Sequence, residues 1–280
     1  MNLLTLLKIS RPKFWGYLAG TFLVGYTLAI HTLQDFYTPL FFVLLGFFLF
    51  PANLFLYGIN DLFDQDTDAF NKKKTVHEHR LLKKETRYLS ISLFFCLLIS
   101  VGIFFLLPSF LTQLLLVLFI LLAAFYSASP FRFKARPFID SGSNILYILP
   151  GIIGYLSISN QPLDWWIILA ISSWAISMHL FSAIPDIEAD KKAHLTTSAI
   201  FFGKTPSLLI CSILWLAFSL ISISQIQLFP FSLLTLVYPI IPLIVVLHKK
   251  ISILEVYWYF PWINNFFGFI LFVLLIWQKI

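Results

Sequence analysis

Hydrophobic residues along this chain gather in long runs separated by short polar breaks. The runs cover residues 14–30, 39–60, 88–107, 110–128, 139–158, 165–184, 206–223, 229–248 and 256–277. Each is close to the roughly 20 residues that an α-helix needs to cross the hydrocarbon core of a bilayer. Proline marks several of their ends, at Pro39, Pro108, Pro137, Pro162, Pro206 and Pro230. Pro51 and Pro242 fall inside runs and are expected to kink the helices that hold them. The pattern predicts an all-α membrane protein, a bundle of about nine transmembrane helices that forms one domain over residues 1–280. Loops near 61–87, 129–138 and 185–205 are expected to cap one end of it.

Composition agrees, and charge adds an orientation. Hydrophobic residues make up 59% of the chain and charged residues 11%, against about 25% charged in an ordinary soluble domain. The mean hydropathy of +0.89 suits an exterior that faces lipid. Basic residues cluster at Lys8, Arg11 and Lys13, through 61–87, and at Arg132, Lys134 and Arg136. They recur at Lys191, Lys192 and Lys204 and at Lys249 and Lys250, while the loops near His31, Pro108, Asn160 and Gln227 carry none. Lys279 alone stands outside this alternation. Such bias places the basic loops in the cytoplasm and supports the helix count. The net charge of +6 is therefore an orientation signal. A nucleic-acid partner would need a basic soluble face, and none is legible. The expected setting is multi-pass in the cell (inner) membrane, among membrane lipid, with no obligatory protein partner. The basic stretch before residue 14 resembles a signal peptide. The run that follows is long enough to span and no small-x-small cleavage site follows it, so a retained first helix is expected. Cys96 and Cys211 lie in apolar runs and read as free, inert thiols.

Carboxylates are also clustered. The second run ends in Asn60-Asp61-Leu62-Phe63-Asp64-Gln65-Asp66-Thr67-Asp68. If the helix continues, Asn60, Asp64 and Asp68 share a face, which Asn53 and Tyr57 extend inward. The sixth run ends in Pro185-Asp186-Ile187-Glu188-Ala189-Asp190, with Asp186 and Asp190 on one face and His179 two turns earlier. Like charges four residues apart on a helix repel by roughly 0.2–0.5 kcal/mol, and by more at a membrane boundary. A divalent cation would offset this, and an all-oxygen ligand set suits Mg²⁺. Mg²⁺ commonly takes one or two carboxylates and completes its shell with water and phosphate oxygens. Two such clusters therefore suit one diphosphate held through metal. The plainer reading makes them solvated helix ends paired with Lys72–Lys74 and Lys191–Lys192. Two clusters on the same predicted membrane face, each with four-residue spacing, argue against it.

Asn60–Asp68 resembles the Asn-Asp-x-x-Asp-x-x-x-Asp motif of the UbiA superfamily of membrane prenyltransferases. Asp186–Asp190 is similar to that superfamily's second motif, Asp-x-x-x-Asp. The resemblance covers nearly the whole chain and includes the Arg11-Pro12 entry to the first helix. The stretch from Tyr126 to Lys134 is similar to the family's Tyr-Ser-x-Pro-Pro-x-x-x-Lys, with Ser129 in place of the first proline. Lys134-Ala135-Arg136-Pro137, Ser143-Asn144 and Met178–Asp190 resemble the lycopene elongases within the family.

The resemblance implies Mg²⁺-dependent transfer of a prenyl group from a prenyl diphosphate to a lipophilic acceptor. The best-supported pair is dimethylallyl diphosphate and a carotenoid such as lycopene. It implies Asn60, Asp61, Asp64, Asp68, Asp186 and Asp190 as metal ligands, with Asp61 either a ligand or one step removed. Arg11, Arg132, Lys134 and Lys191 would meet the diphosphate. Asn53, Tyr57 and Asn144 would line the substrate. Tyr57, Tyr126 and Tyr147 could stabilise an allylic cation through their ring faces, and His179 could take the final proton. In each case simple packing is the competing role. His77-Glu78-His79 reads as part of a solvated cap rather than a metal site. No Gly-rich phosphate loop and no Ser/His/Asp arrangement is present. An aromatic quinone precursor is the alternative acceptor. A divalent-cation transporter is the alternative class, but it would need polar residues through the bilayer midplane, where the opposite half of most helices is featureless.

Overall fold

A computed structural model describes residues 3–65, 79–225, 228–248 and 250–280. All regular structure among the described residues is helical. The chain divides into two compact units. The first comprises Met1–Arg132, Leu149–Pro162 and Asn264–Ile280, and the second Phe133–Ile148 and Leu163–Ile263.

The first unit opens with α1 (Leu3–Ile9), a 3-10 turn at Pro12–Tyr17 and α2 (Ala19–Ala29). Thr21 and Thr27 lie in this apolar run, and their hydroxyls donate to the carbonyls of Tyr17 and Leu23 at 2.9 and 2.7 Å. Polar groups that meet no water are thereby satisfied within the helix. Next come α3 (Pro39–Leu49) and α4 (Pro51–Phe63), where one continuous run was expected. Pro51 starts a new helix because it lacks an N–H and its ring excludes the preceding carbonyl. Asn53 repairs the break, donating from Nδ2 to the carbonyls of Phe48 and Leu49 at 2.7 and 3.0 Å. Helices α5 (Thr86–Leu106) and α6 (Phe110–Phe125) follow, the latter capped by Ser109 and Thr112. The core between them is aromatic: Phe22 packs on Tyr26, Phe41 and Phe48, and Phe48 meets Phe119 edge-on.

In the second unit, α7 (Ile139–Gly142) passes into a 3-10 turn at Ser143–Tyr147. The side chain of Asn144 donates to the carbonyl of Asp140 at 2.7 Å, the acceptor that an α-helix would offer to the backbone of Asn144. That substitution favours the tighter turn. The other helix of that predicted run, α8 (Leu149–Leu156), belongs to the first unit. It packs backbone to backbone on α2, for a methyl at Gly25 would run into the main chain of Gly151. A methyl at Gly151 would come within 2.9 Å of the Thr21 carbonyl. Small residues of this kind let membrane helices approach closely.

The rest of the second unit is α9 (Trp165–Ala183), α10 (Ile187–Lys192), α11 (Ser198–Phe202), α12 (Lys204–Gln225), α13 (Val237–Leu247) and the start of α14 (Ile253–Trp277). Serines join its helices: Ser177 donates to the Cys211 carbonyl, Ser212 to that of Pro239 and Ser219 to that of Thr235. Interhelical bonds like these hold apolar helices together where lipid offers no hydrophobic drive. Phe181, Trp215, Tyr238 and Phe260 form the aromatic centre. Cys96 and Cys211 are free and buried.

Among the described residues five stretches are long and apolar enough to cross a membrane: Pro39–Phe63, Lys83–Leu106, Trp165–Lys192, Lys204–Gln225 and Ile253–Trp277. Phe110–Phe125 and Phe231–Leu247 are shorter apolar helices. The predicted runs 14–30 and 139–158 are built from short helical pieces instead. Gly25→Ala should destabilise the protein by about 1–3 kcal/mol, seen as a lower unfolding temperature in detergent. Gly20→Ala on the same helix, where a Cβ meets nothing within 4 Å, should leave that temperature unchanged.

Candidate active site

The first aspartate motif forms at the end of α4. The α-helix stops at Phe63, and Asp64 is its C-cap, donating its N–H to the Asn60 carbonyl at 3.0 Å. Asn60 and Asp64 thus keep the expected common face as last turn and cap. Asp68 lies outside the described residues. A carboxylate at a helix C-terminus meets the negative end of the helix dipole, which is unfavourable. The Ser127 hydroxyl, just past α6, sits against it. Ser127 Oγ lies 3.0 Å from Asp64 Oδ2 and 2.7 Å from Asn60 Oδ1, and both Ser127 and Asp64 are buried.

Asp61 faces another way. Its side chain is 1% exposed and pairs with Arg11 Nη2 at 3.0 Å. The Arg11 guanidinium also lies 4.6 Å above the ring of the buried Tyr57. Arg11 holds φ at +52° and Arg132 at +41°, a left-handed backbone that costs a non-glycine residue about 1–3 kcal/mol and tends to mark functional sites. Two of the arginines expected to meet diphosphate therefore occupy strained positions. Arg132 and Tyr126 are half-buried.

The second motif follows α9. A 3-10 turn at Ile184–Asp186 leads into α10, with Asp186 as N-cap and Asp190 one turn on, both partly exposed. Asp190 is the fourth of the six residues of α10. Lys191 pairs with Glu188 at 3.5 Å on the exposed side, a contact worth little in solvent.

A buried carboxylate that sequence reasoning passed over organises this unit. Asp140 is fully buried and accepts the backbone N–H of Ser198 at 2.7 Å, the Ser198 hydroxyl, and the N–H of Ser141 at 2.7 Å. Ser198 Oγ in turn accepts the N–H of Phe138 at 2.7 Å. Ser141 Oγ lies 3.1 Å from His179 Nδ1. Asp140 thus ties the segment that carries Asn144 to the loop after the second motif, and its neighbour Ser141 orients His179. Lys134 is buried in the 3-10 turn Phe133–Ala135. The signal for Asp140 was available, since a lone carboxylate in an apolar run needs a partner. Ser127 was also in view, inside the Tyr126–Lys134 stretch. Their partners come from remote segments, which spacing does not reveal.

His77 and Glu78 lie outside the described residues, and His79 pairs with Glu85 at 3.0 Å. Among the described residues no three His, Cys, Asp or Glu side chains form a metal-binding group.

Two oxygen-rich motifs thus stand at the ends of long apolar helices. The UbiA prenyltransferase family profile matches residues 18–258. A lycopene elongase/hydratase from Haloarcula japonica is 37% identical over 276 residues, covering 97% of this chain and 91% of the relative. Another from Haloferax volcanii is 35% identical over 279 residues, covering 100% and 91%. The structure of a UbiA homologue from Archaeoglobus fulgidus bound to GPP and Mg²⁺ superposes with a TM-score of 0.71 at 23% identity, covering 96% of this chain and 99% of that one. The chain belongs to the UbiA prenyltransferase family. It is a prenyltransferase and an integral membrane protein, and the transporter alternative falls away.

Arg11→Ala should destabilise the protein by about 3–5 kcal/mol, because it removes the cation that meets a buried carboxylate. The double change Arg11→Met with Asp61→Leu should restore much of that loss, as thermal unfolding in detergent can show. Asp140→Ala should lower stability by several kcal/mol, since three donors lose an acceptor at about 1–3 kcal/mol each. Asp140→Asn, which keeps one acceptor oxygen, should fall in between.

Proposed function

We propose that the protein transfers a dimethylallyl group from dimethylallyl diphosphate to a carotenoid such as lycopene, with Mg²⁺ as cofactor. The observation that carries the acceptor is near-full-length similarity to lycopene elongase/hydratases at 35–37% identity. The donor and metal draw support from the oxygen chemistry of the two motifs. Further support comes from the Archaeoglobus fulgidus homologue, solved with GPP and with DMAPP, each with Mg²⁺.

The residues present fit magnesium. The side chains of Asn60 and Asp64 both reach one Ser127 hydroxyl, so an amide and a carboxylate stand together at the end of α4. Mg²⁺ needs only one or two carboxylates when substrate phosphate supplies the rest. Asn60, Asp64 and Asp68 would hold metal at the first motif and Asp186 and Asp190 at the second, and bound Mg²⁺ would neutralise the diphosphate as its allylic C–O bond breaks.

The chain's other groups do the remaining work. Arg132, Lys134 and Lys191 donate charge-assisted hydrogen bonds to the diphosphate oxygens. Arg11 does so as well, kept in place by Asp61. The Tyr57 ring already faces the Arg11 guanidinium, so Tyr126 and Tyr147 are the better rings for the allylic cation, each worth about 0.5–2 kcal/mol. The acceptor alkene forms the new C–C bond, and His179 takes the proton that its cation then loses. Asn53 and Asn144 act indirectly, through the helix breaks that their amides hold. The chain works as a single domain, with the basic loops and the active site on the cytoplasmic side of the cell membrane.

Purified protein with Mg²⁺, labelled dimethylallyl diphosphate and lycopene should yield an elongated carotenoid, and chelation of the metal should abolish it. Asp64→Ala and Asp186→Ala should each lower kcat/KM by about 10²-fold or more. Product with a hydroxybenzoate or naphthoate and none with lycopene would move the acceptor to aromatic rings.

A further inference from the structure

Ser127 has a single hydroxyl hydrogen, yet its oxygen lies within hydrogen-bond distance of two oxygens, Asn60 Oδ1 at 2.7 Å and Asp64 Oδ2 at 3.0 Å. One hydrogen cannot serve both fully, and a short contact between two lone pairs would repel. A half turn of the Asn60 amide exchanges its oxygen and nitrogen and removes the conflict. The Asn60 N–H then donates to Ser127 Oγ, and the Ser127 O–H donates to Asp64 Oδ2. Each contact then pairs one donor with one acceptor, and the chain of donors runs one way.

We infer that Ser127 is a positioning residue for the first aspartate motif. Its relay from Asn60 through Ser127 to Asp64 holds the amide oxygen and a carboxylate oxygen ready for the divalent cation. This rests on the magnesium reading above. Three observations carry it. Ser127 and Asp64 are both buried, so water does not replace the bond. Asp64 sits at a helix C-terminus, where the dipole opposes its charge and a donor is needed to hold it. Ser127 comes from a segment 63 residues away in sequence from Asp64, so the contact ties the motif to the end of α6. Groups around a metal that orient its ligands commonly govern affinity by 10–100-fold. Ser127 therefore sets how tightly the cation is held more than how fast the bond breaks.

The test uses full-length protein in detergent and Mn²⁺ as the probe, followed by EPR, alone and with inorganic pyrophosphate. Ser127→Ala should weaken Mn²⁺ binding about tenfold and raise the Mg²⁺ concentration for half-maximal transfer to match. Its kcat at saturating Mg²⁺ should stay near wild type. Ser127→Thr, which keeps the hydroxyl, should bind like wild type. Ser127→Ala and Asn60→Ala should combine less than additively, since each breaks the same relay. Wild-type Mn²⁺ affinity in Ser127→Ala, or fully additive losses, would overturn the positioning role and leave the magnesium reading standing. If wild-type protein binds no Mn²⁺ under either condition, both fall together. Should Ser127→Ala not fold, Ser127→Cys, a weaker donor, must show a partial loss; undiminished binding would overturn the proposal.

Discussion

A chain this apolar has little water to lean on, so every polar group that it buries needs a partner inside the protein. That constraint shapes both units. Asn53 closes the carbonyls opened by Pro51, and Ser177 and Ser212 donate to backbone carbonyls of a neighbouring helix. The same rule governs charge. Asp61 is buried because Arg11 is there to meet it, and Asp140 because three donors converge on it. Where a carboxylate lies at a helix end facing the wrong pole of the dipole, as Asp64 does, a hydroxyl is brought from α6.

Function follows from how unevenly that rule is met. Asp186 at the start of α10 and Asp190 one turn on are partly exposed, in keeping with the role proposed for them. Asn60 and Asp64 meet at one hydroxyl, that of Ser127. Asp61, three residues before Asp64, pairs with Arg11, so neighbouring acids of one motif meet different partners. The strained backbone at Arg11 and Arg132 fits this picture, because a left-handed arginine persists only where surrounding contacts hold it.

Much of this was legible in the sequence. Apolar runs located the helices because a bilayer imposes a length on them, and the aspartate spacing located the motifs because helical geometry imposes a period. The break at Pro51 was also visible, though as a kink and not as two helices. The short helical pieces in 14–30 and 139–158 were not, because side chains such as Asn144 divert backbone acceptors in ways that hydropathy does not register. Asp140 and Ser127 escaped for a related reason. Their meaning lies in partners from remote segments, Ser198 and Asn60, and no spacing rule joins them. Asp61 was expected to be a ligand or one step removed, and its pairing with Arg11 was not legible from spacing.

The account turns on one claim, that the oxygens gathered at the end of α4 hold a divalent cation for a prenyl diphosphate. Anomalous scattering from crystals grown with Mn²⁺ and an unreactive thio-analogue of dimethylallyl diphosphate would test it most directly. The account predicts a manganese peak in direct coordination with a carboxylate oxygen of Asp64 and with the diphosphate. Diphosphate bound with no metal at Asp64, or metal bound only elsewhere, would contradict it.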